Sequence, residues 1–375
     1  MPNSISTVIA KPTRLCNADC TYCSTPPEGA VRWLVEDFER YLTRLLPVVS
    51  GNLQWIWHGG EPLLMGPDFY LACRDVADRL AKEGGPRIEF AMQTNLLLYE
   101  TSRWADVFRE VFKGRISSSY DPDEKFRTLK GSTLRYTNRF FGKLDQVLAD
   151  GFRPMVIGTF DEKSASLANR FYELSLSQGE GKQFPIRLNY RYPIGRAEGA
   201  GETISPETYG RMLVDLFDRW IVDAPGFSIT PLDQMLKLVL GLESDRCPWT
   251  SKCASSIMEI GPDGSVHTCG EFADLGDPAF RYGNLNDSDG RKLVVSQPAV
   301  MIRRRMTNLP PDCMSCRHFG ECGGGCMRDS VLYQHGLYGK FHYCLSWQMV
   351  FDRIKEAVSR GETDKLIHNL RMAAM

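Results

Sequence analysis

From the amino terminus, short apolar runs alternate with longer amphipathic stretches. The runs Ile5–Ala10, Leu53–Trp57, Ile88–Gln93, Arg115–Ser119, Pro154–Phe160 and Ile186–Tyr192 predict strands. The stretches Leu34–Val49, Pro67–Lys82, Ser102–Phe112, Leu134–Asp150, Ser164–Gln178 and Pro206–Ile221 carry apolar residues at i, i+3, i+4 spacing and predict helices. Leu134, Phe140, Phe141, Leu144, Val147 and Leu148 are the clearest such stripe. Ser205 ahead of Pro206 supplies a capping hydroxyl and a proline at the first helical position. Six β-then-α units in a row predict an α/β fold with a parallel sheet, closed by right-handed crossovers into a partial (β/α)6 TIM-like barrel. Chemistry in such a sheet gathers at the carboxyl ends of the strands, so the residues just after each strand are the ones to read.

The pattern changes beyond residue 225. The loop around Ala200–Thr203 reads as flexible, Asp223-Ala224-Pro225-Gly226 breaks the chain, and Pro231–Leu242 reads as one more helix. Cysteines then dominate up to Cys344, and the tail from Leu345 reads as helix packed on the barrel. The predicted organisation is a barrel over 1–225, a linker with a bridging helix over 226–246, a cysteine-rich domain over 247–345 and a C-terminal helix over 346–375. A length of 375 residues suffices for more than one core. A net charge of −1 gives no sign of a nucleic-acid or membrane-surface partner. No run of about 18 apolar residues predicts a membrane span, and MPNSISTVIA lacks the basic and apolar regions of a signal peptide. The expected location is therefore cytoplasmic, where twelve cysteines read as metal ligands or reactive thiols and not as disulfides. Cys73 stands alone in a helical pattern and reads as a small buried hydrophobe. The basic run Met301-Ile302-Arg303-Arg304-Arg305 reads as a solvated face, with contact to an acidic peptide as the alternative.

After the first strand comes Cys16-Asn17-Ala18-Asp19-Cys20-Thr21-Tyr22-Cys23, with spacing C-x3-C-x2-C. Three thiolates on one loop can hold three corners of a [4Fe–4S] cubane and leave its fourth iron open, while spacing alone also admits a zinc knuckle with a distant fourth ligand. After the second strand, His58-Gly59-Gly60-Glu61-Pro62 offers two glycines for close backbone approach, a carboxylate for an ammonium and a proline that fixes the turn. Gln93-Thr94-Asn95 follows the third strand, and Ser117-Ser118-Ser119-Tyr120-Asp121 the end of the fourth. Together these motifs resemble those of the radical S-adenosylmethionine (SAM) enzymes. The resemblance implies a cluster on Cys16, Cys20 and Cys23 whose open iron takes the amino and carboxylate groups of SAM. It also implies SAM contacts from Tyr22, Gly59, Gly60, Glu61, Pro62, Gln93, Thr94, Asn95, Ser119 and Asp121. Pro122 stands where many relatives have glycine after the aspartate. Tyr192-Pro193-Ile194-Gly195-Arg196-Ala197 also has a family look, and its Arg196 reads as a surface arginine or a carboxylate partner.

In the second half, Cys253 to Cys269 fits C-x10-G-x4-C, with Asp263-Gly264 predicting a hairpin turn. Cys313 to Cys326 fits C-x2-C-x5-C-x3-C around Gly323-Gly324-Gly325, and Cys247 and Cys344 flank the series. Two zinc ribbons are the plain alternative, although only Cys313–Cys316 has the C-x2-C spacing. The series resembles the SPASM domain, the twin-cluster extension of radical SAM peptide-modifying enzymes. The resemblance gives Cys247, Cys253, Cys269 and Cys326 to one auxiliary cluster and Cys313, Cys316, Cys322 and Cys344 to the other, for three [4Fe–4S] clusters in all. The crossing of Cys326 to the first set is not visible in the spacing.

The family's chemistry is cleavage of SAM to a 5′-deoxyadenosyl radical that takes a hydrogen atom from substrate, with the auxiliary clusters accepting the electron left behind. The resemblance implies a maturase of a ribosomally made precursor peptide, installing an oxidative cross-link (a C–C cyclophane, ether or thioether) or another oxidation. It also implies a flavodoxin- or ferredoxin-type reductant. Only fifteen residues precede Cys16, so peptide recognition is expected from the barrel, the second domain or a separate leader-binding protein. The alternatives are an anaerobic sulfatase-maturing, formylglycine-forming enzyme and a small-molecule dehydrogenase or epimerase on the same scaffold. Sulfatase-maturing relatives carry an aspartate directly after the third cysteine of the first auxiliary set; here that position is Gly270, followed by Glu271. Glu271, Asp274 and Tyr120 are the candidate proton acceptors.

Overall fold

The computed structural model describes residues 4–25, 29–179, 181–198, 203–244, 247 and 253–373. Seven parallel strands form its centre: β1 (Ile5–Ala10), β2 (Val49–Trp57), β3 (Ile88–Gln93), β4 (Ile116–Ser119), β5 (Met155–Phe160), β6 (Ile186–Tyr190) and β7 (Ile229–Thr230). They pair in chain order, with α1 (Val35–Leu45), α2 (Pro67–Lys82), α3 (Thr101–Glu110), α4 (Thr133–Ala149), α5 (Ala168–Leu176) and α6 (Pro206–Asp223) as the crossovers. This is the expected partial barrel. Alternation along β2 turns Trp55 and Trp57 to one face, where they meet Trp33, Phe38 and Phe90 in edge, tilted and stacked contacts. The Ser205 hydroxyl caps α6 by accepting from the Thr208 N–H at 3.1 Å.

Two predicted helices are shorter than their apolar pattern. α1 stops at Leu45, and Leu46–Val48 tighten into a 3-10 turn, because Pro47 has no N–H to continue the ladder. The start of α5 gives way to a 3-10 turn over Ala165–Leu167, where Asp161 Oδ1 accepts from the N–H groups of Lys163 (3.1 Å) and Ser164 (2.9 Å). Within the expected Pro231–Leu242 stretch the structure has the shorter α7 (Leu232–Val239), directly after the two-residue β7, which is too short to betray itself by alternation.

The sheet does not stop at the barrel. β8 (Ile257–Ile260) pairs parallel with β1, and β9 (Ser265–His267) and β10 (Arg281–Asn284) add antiparallel, giving the order β10-β9-β8-β1-β2-β3-β4-β5-β6-β7. The predicted hairpin is the β8–β9 connection, a four-residue turn over 261–264 where Asp263-Gly264 predicted a two-residue one, with Gly264 at φ +80°. Beyond it come short helices around the cysteines and then the Cys344–Ser359 and Asp364–Ala373 helices. The first of these lays Trp347, Val350, Phe351 and Ile354 into the core beside α6. Gly210 permits that approach, since a Cβ there would stand 2.9 Å from Ser346 Cα. Arg353 bonds Asp218 of α6 at 2.6 Å. The Ala200–Thr203 loop and the end of the linker lie largely outside the described residues. Among the described residues no helix is long and apolar enough to cross a membrane.

Candidate active site

The cysteine loop is built from backbone up. Its entry lies against the loop after β2: the N–H of His58 donates to Ala10 O (2.8 Å), that of Gly60 to Thr13 O (3.0 Å) and that of Glu61 to Leu15 O (2.8 Å). Both glycines are required by this approach. A Cβ on Gly59 would stand 2.3 Å from Thr13 O, and one on Gly60 2.2 Å from Leu15 O. The middle of the loop is strapped to residues 126–128, through Asp19 N–H to Thr128 O (3.0 Å) and Thr21 N–H to Phe126 O (2.8 Å). Its end is held by the turn after β6, where the Arg196 N–H donates to Cys23 O (3.1 Å) and its guanidinium to Cys20 O (3.2 Å). Gly195, at φ +62°, lies so close that a Cβ would meet Cys23 O at 2.6 Å.

The side chains after β2, β3 and β4 lock this frame. Glu61 is fully buried, and its carboxylate accepts from Leu63 N–H (2.8 Å), Thr94 Oγ1 (2.6 Å) and Asn95 N–H (2.7 Å). Burial pushes its carboxyl up to about 7 against the pull of those donors. Asn95 Nδ2 reaches Asn17 Oδ1 at 2.7 Å and Cys16 Sγ at 3.8 Å. Gln93 Nε2 donates to Ser119 Oγ at 2.9 Å, while Gln93 Oε1 accepts from Ser117 Oγ. Asp121 is buried, accepting from the Tyr22 hydroxyl (2.6 Å) on one oxygen and from the Thr159 N–H (2.9 Å) on the other, and pairs by charge with Arg127, whose Nε lies 3.0 Å away. The residues expected to contact SAM are thus brought to one end of the sheet, with Glu61 and Asp121 already saturated by the protein. Pro62 opens a short 3-10 turn and gives its carbonyl to the Tyr70 hydroxyl at 2.6 Å.

Arg127 and Lys11 were not singled out from sequence. Lys11 is buried and pairs with Asp274 at 2.6 Å, which also accepts from Ser24 Oγ at 3.2 Å. Burial opposes both charges, yet each outweighs it for the other: Asp274 is held below its ordinary value and Lys11 above. Beside them, burial and Lys11 push the His58 imidazole down to about 4. Asp274 is therefore a tie between β1 and the end of the cysteine loop. Tyr120 is turned into the core, stacked on Phe140 at 5.3 Å and donating to Glu124 at 2.8 Å, and burial raises its phenol. Glu271 meets Arg328 at 2.6 Å, whose guanidinium lies 3.6 Å over the Tyr192 ring and 3.0 Å from Asp329. Surrounding protein pushes the Glu271 carboxyl up, opposed by Arg328 and reinforced by Asp274 and Asp329.

The donor sets fit the cofactors the motifs imply. Cys16, Cys20 and Cys23 lie in one another's field, and burial pushes the Cys16 thiol up to about 12 against the Ala18 N–H. Such thiols ionise only when a cation takes them. Of the other nine, Cys73 is buried in α2, and the eight beyond the barrel fall into two groups of electrostatic neighbours. Cys247 faces Cys326 and Cys253, and Cys269 faces Cys247 and Cys253 and in turn acts on Cys326. Cys322 faces Cys344, Cys313 and Cys316. Among the described residues no three His, Cys, Asp or Glu side chains close around a single-ion site.

The model of the radical SAM superfamily matches residues 10–135. A cysteine-type anaerobic sulfatase-maturating enzyme of Clostridium perfringens (strain 13 / Type A) is 24% identical over 366 residues, covering 93% of this chain and 95% of its own. A serine-type enzyme of Klebsiella aerogenes is 24% identical over 327 residues, 83% and 76% of the two chains. Among solved structures, native anSMEcpe with bound AdoMet and Cp18Cys peptide superposes at TM-score 0.79 with 22% identity, covering 96% of this chain and 99% of that one. Streptococcus suis SuiB bound to precursor peptide SuiA does so at 0.63 with 15% identity, covering 92% and 76%. The superfamily match falls on the cysteine loop and on the strand-end loops after β2, β3 and β4 that meet it: residues 10–135 are a radical SAM region, suited to a [4Fe–4S] cluster and SAM, and the chain as a whole shares the fold of the sulfatase-maturating enzymes.

Proposed function

We propose that this chain oxidises a side chain of a peptide or protein by two electrons, using Cys16, Cys20 and Cys23 as cluster ligands and the two groups of four thiols as ligands of auxiliary clusters. When bound, the cluster and SAM supply a 5′-deoxyadenosyl radical that removes one hydrogen atom from substrate. The protein's part is to hold and orient. Gly59 and Gly60 let the loop after β2 seat directly on the entry of the cysteine loop, and Asn95, Gln93 and Ser119 offer amide and hydroxyl groups beside it. Glu61 and Asp121 act by fixing the loops that carry these groups. Glu271, with its raised carboxyl and its place after Cys269, is the candidate proton acceptor when substrate loses its second electron.

What supports the reading is the eight cysteines beyond the barrel: as ligands of two clusters, four to each, they would leave both fully thiolate-bound, which suits electron acceptance. Peptide substrates are supported by relatives whose structures hold a Cp18Cys peptide or a precursor peptide. We infer a cross-link as the product, because Gly270 leaves the position after Cys269 without a carboxylate. The second reading is formylglycine formation, favoured by full-length relatives named as sulfatase-maturating enzymes. Co-expression with the peptide of a neighbouring gene, followed by mass spectrometry, tests both. Loss of about two hydrogens per bond with fragmentation-resistant segments supports the cross-link. An unchanged peptide, with a sulfatase fragment that gains a hydrazide-reactive aldehyde, selects the second reading.

A further inference from the structure

The basic run at the end of the Gln297–Arg304 helix does not form the uniform solvated face that its composition predicts. Arg305 is only 5% exposed. Its guanidinium donates to the carbonyls of Gly324 (2.9 Å), Gly339 (2.8 Å) and Leu337. All three acceptors are neutral, and among the described residues no carboxylate comes within ion-pair distance of it. A buried guanidinium with only carbonyl partners keeps an uncompensated charge, which the interior opposes unless anions lie near. The groups in its field are sulfurs from both sets: Cys326 and Cys253 of one, Cys313 and Cys322 of the other.

The Gly324 carbonyl lies where the chain crosses between the sets. Cys322 belongs to one group of neighbours and Cys326 to the other, and Gly323, Gly324 and Gly325 turn between them at φ +57°, +90° and +65°. A Cβ on Gly325 would meet Phe341 Cγ at 2.5 Å, so this turn is closed to side chains. Resting on the auxiliary-cluster reading above, we propose that Arg305 is a positioning residue that clamps this crossing and sets its charge against both auxiliary clusters, favouring their reduced forms. A cluster gains negative charge on reduction, and a fixed cation in a low-dielectric surround stabilises that gain. One guanidinium shared by two clusters moves both potentials in the same direction.

The test is an EPR-monitored redox titration of the reconstituted full-length protein beside Arg305→Met and Arg305→Lys. With iron fully loaded, Arg305→Met is expected to show about a tenfold lower reduced-to-oxidised ratio of both auxiliary clusters at fixed potential, about 59 mV for a one-electron couple. Arg305→Lys keeps the charge and should titrate with the wild type. The cluster on Cys16, Cys20 and Cys23 should be unmoved in both. Fully loaded Arg305→Met that titrates with the wild type overturns the proposal. Should Arg305→Met fail to take up auxiliary iron, Arg305→Lys decides: loaded and unmoved it upholds the role of charge, shifted or unloaded it overturns it. Wild-type protein that binds about four irons and not about twelve overturns the auxiliary-cluster reading itself, whatever the variants do.

Discussion

The two cysteine regions are built in opposite ways. Cys16, Cys20 and Cys23 occupy one eight-residue loop, pinned by backbone bonds from the loops after β2 and β6 and from residues 126–128. The other eight run from Cys247 to Cys344 and sit on or beside helices as short as Cys253–Ser256, Pro311–Met314 and Phe319–Cys322. Helices of four residues have no stability of their own. The first region is a frame that awaits its cluster. With the proposed auxiliary clusters bound, the second would draw much of its order from ligation, as small metal-bound domains do.

The sharpest way to break this contrast is by ligand. Cys23→Ala is expected to abolish cleavage of SAM to 5′-deoxyadenosine. Cys313→Ala should leave that cleavage while product disappears, both followed by chromatography. Normal turnover in Cys313→Ala would end the electron-transfer role of the second region. Stripping iron comes next: amide exchange should rise over residues 253–344 and stay slow in β1–β6, whereas equal loss in both would erase the difference.

Smaller effects sharpen the frame itself. Asp274→Asn leaves buried Lys11 with the Gly270 carbonyl at 3.3 Å and the Glu259 carboxylate at 3.9 Å, and should cost about 3 kcal/mol in denaturant unfolding at neutral pH. Because Asp274 lies below its ordinary carboxyl value, its stability is present above that value and is lost as pH falls through the lowered one. Lys11 is raised, so its share is complete below the ordinary lysine value and fades as pH rises through the raised one. The gap between wild type and Asp274→Asn should therefore close toward acid. Tyr120→Phe loses one hydrogen bond to Glu124, about 1 kcal/mol, and should leave turnover unchanged. A collapse of turnover there would favour Tyr120 as the proton acceptor.

Sequence alone carried the barrel far because its signals are local. The bounds of β3 and α2 match the predicted Ile88–Gln93 and Pro67–Lys82, since both follow from periodicity and flanking turns. The site was legible wherever glycines, cysteines and strand ends adjoin in the chain. It was not legible where partners are distant. Arg127 matters because it meets Asp121 under the loop that holds Tyr22, and no spacing rule links those three. Arg305 resembled its exposed neighbours because its acceptors, Gly324, Leu337 and Gly339, come from two later turns. The crossing of Cys326 depends on a glycine turn whose direction the spacing does not state, and it came only through the family resemblance.

The pairing of β8 with β1 has a consequence for the order of assembly. β1 is the strand that leads into the cysteine loop, and one of its edges stays unpaired until residues 257–260 have been made and have returned to it. During synthesis the nascent barrel therefore exposes a row of free N–H and C=O groups along its first strand, the kind of edge that recruits other chains. The late strands act as an internal sealing piece for the early ones. A fragment ending at residue 225 would carry every motif of the first site and still be prone to self-association along β1, while the full chain closes that edge on itself.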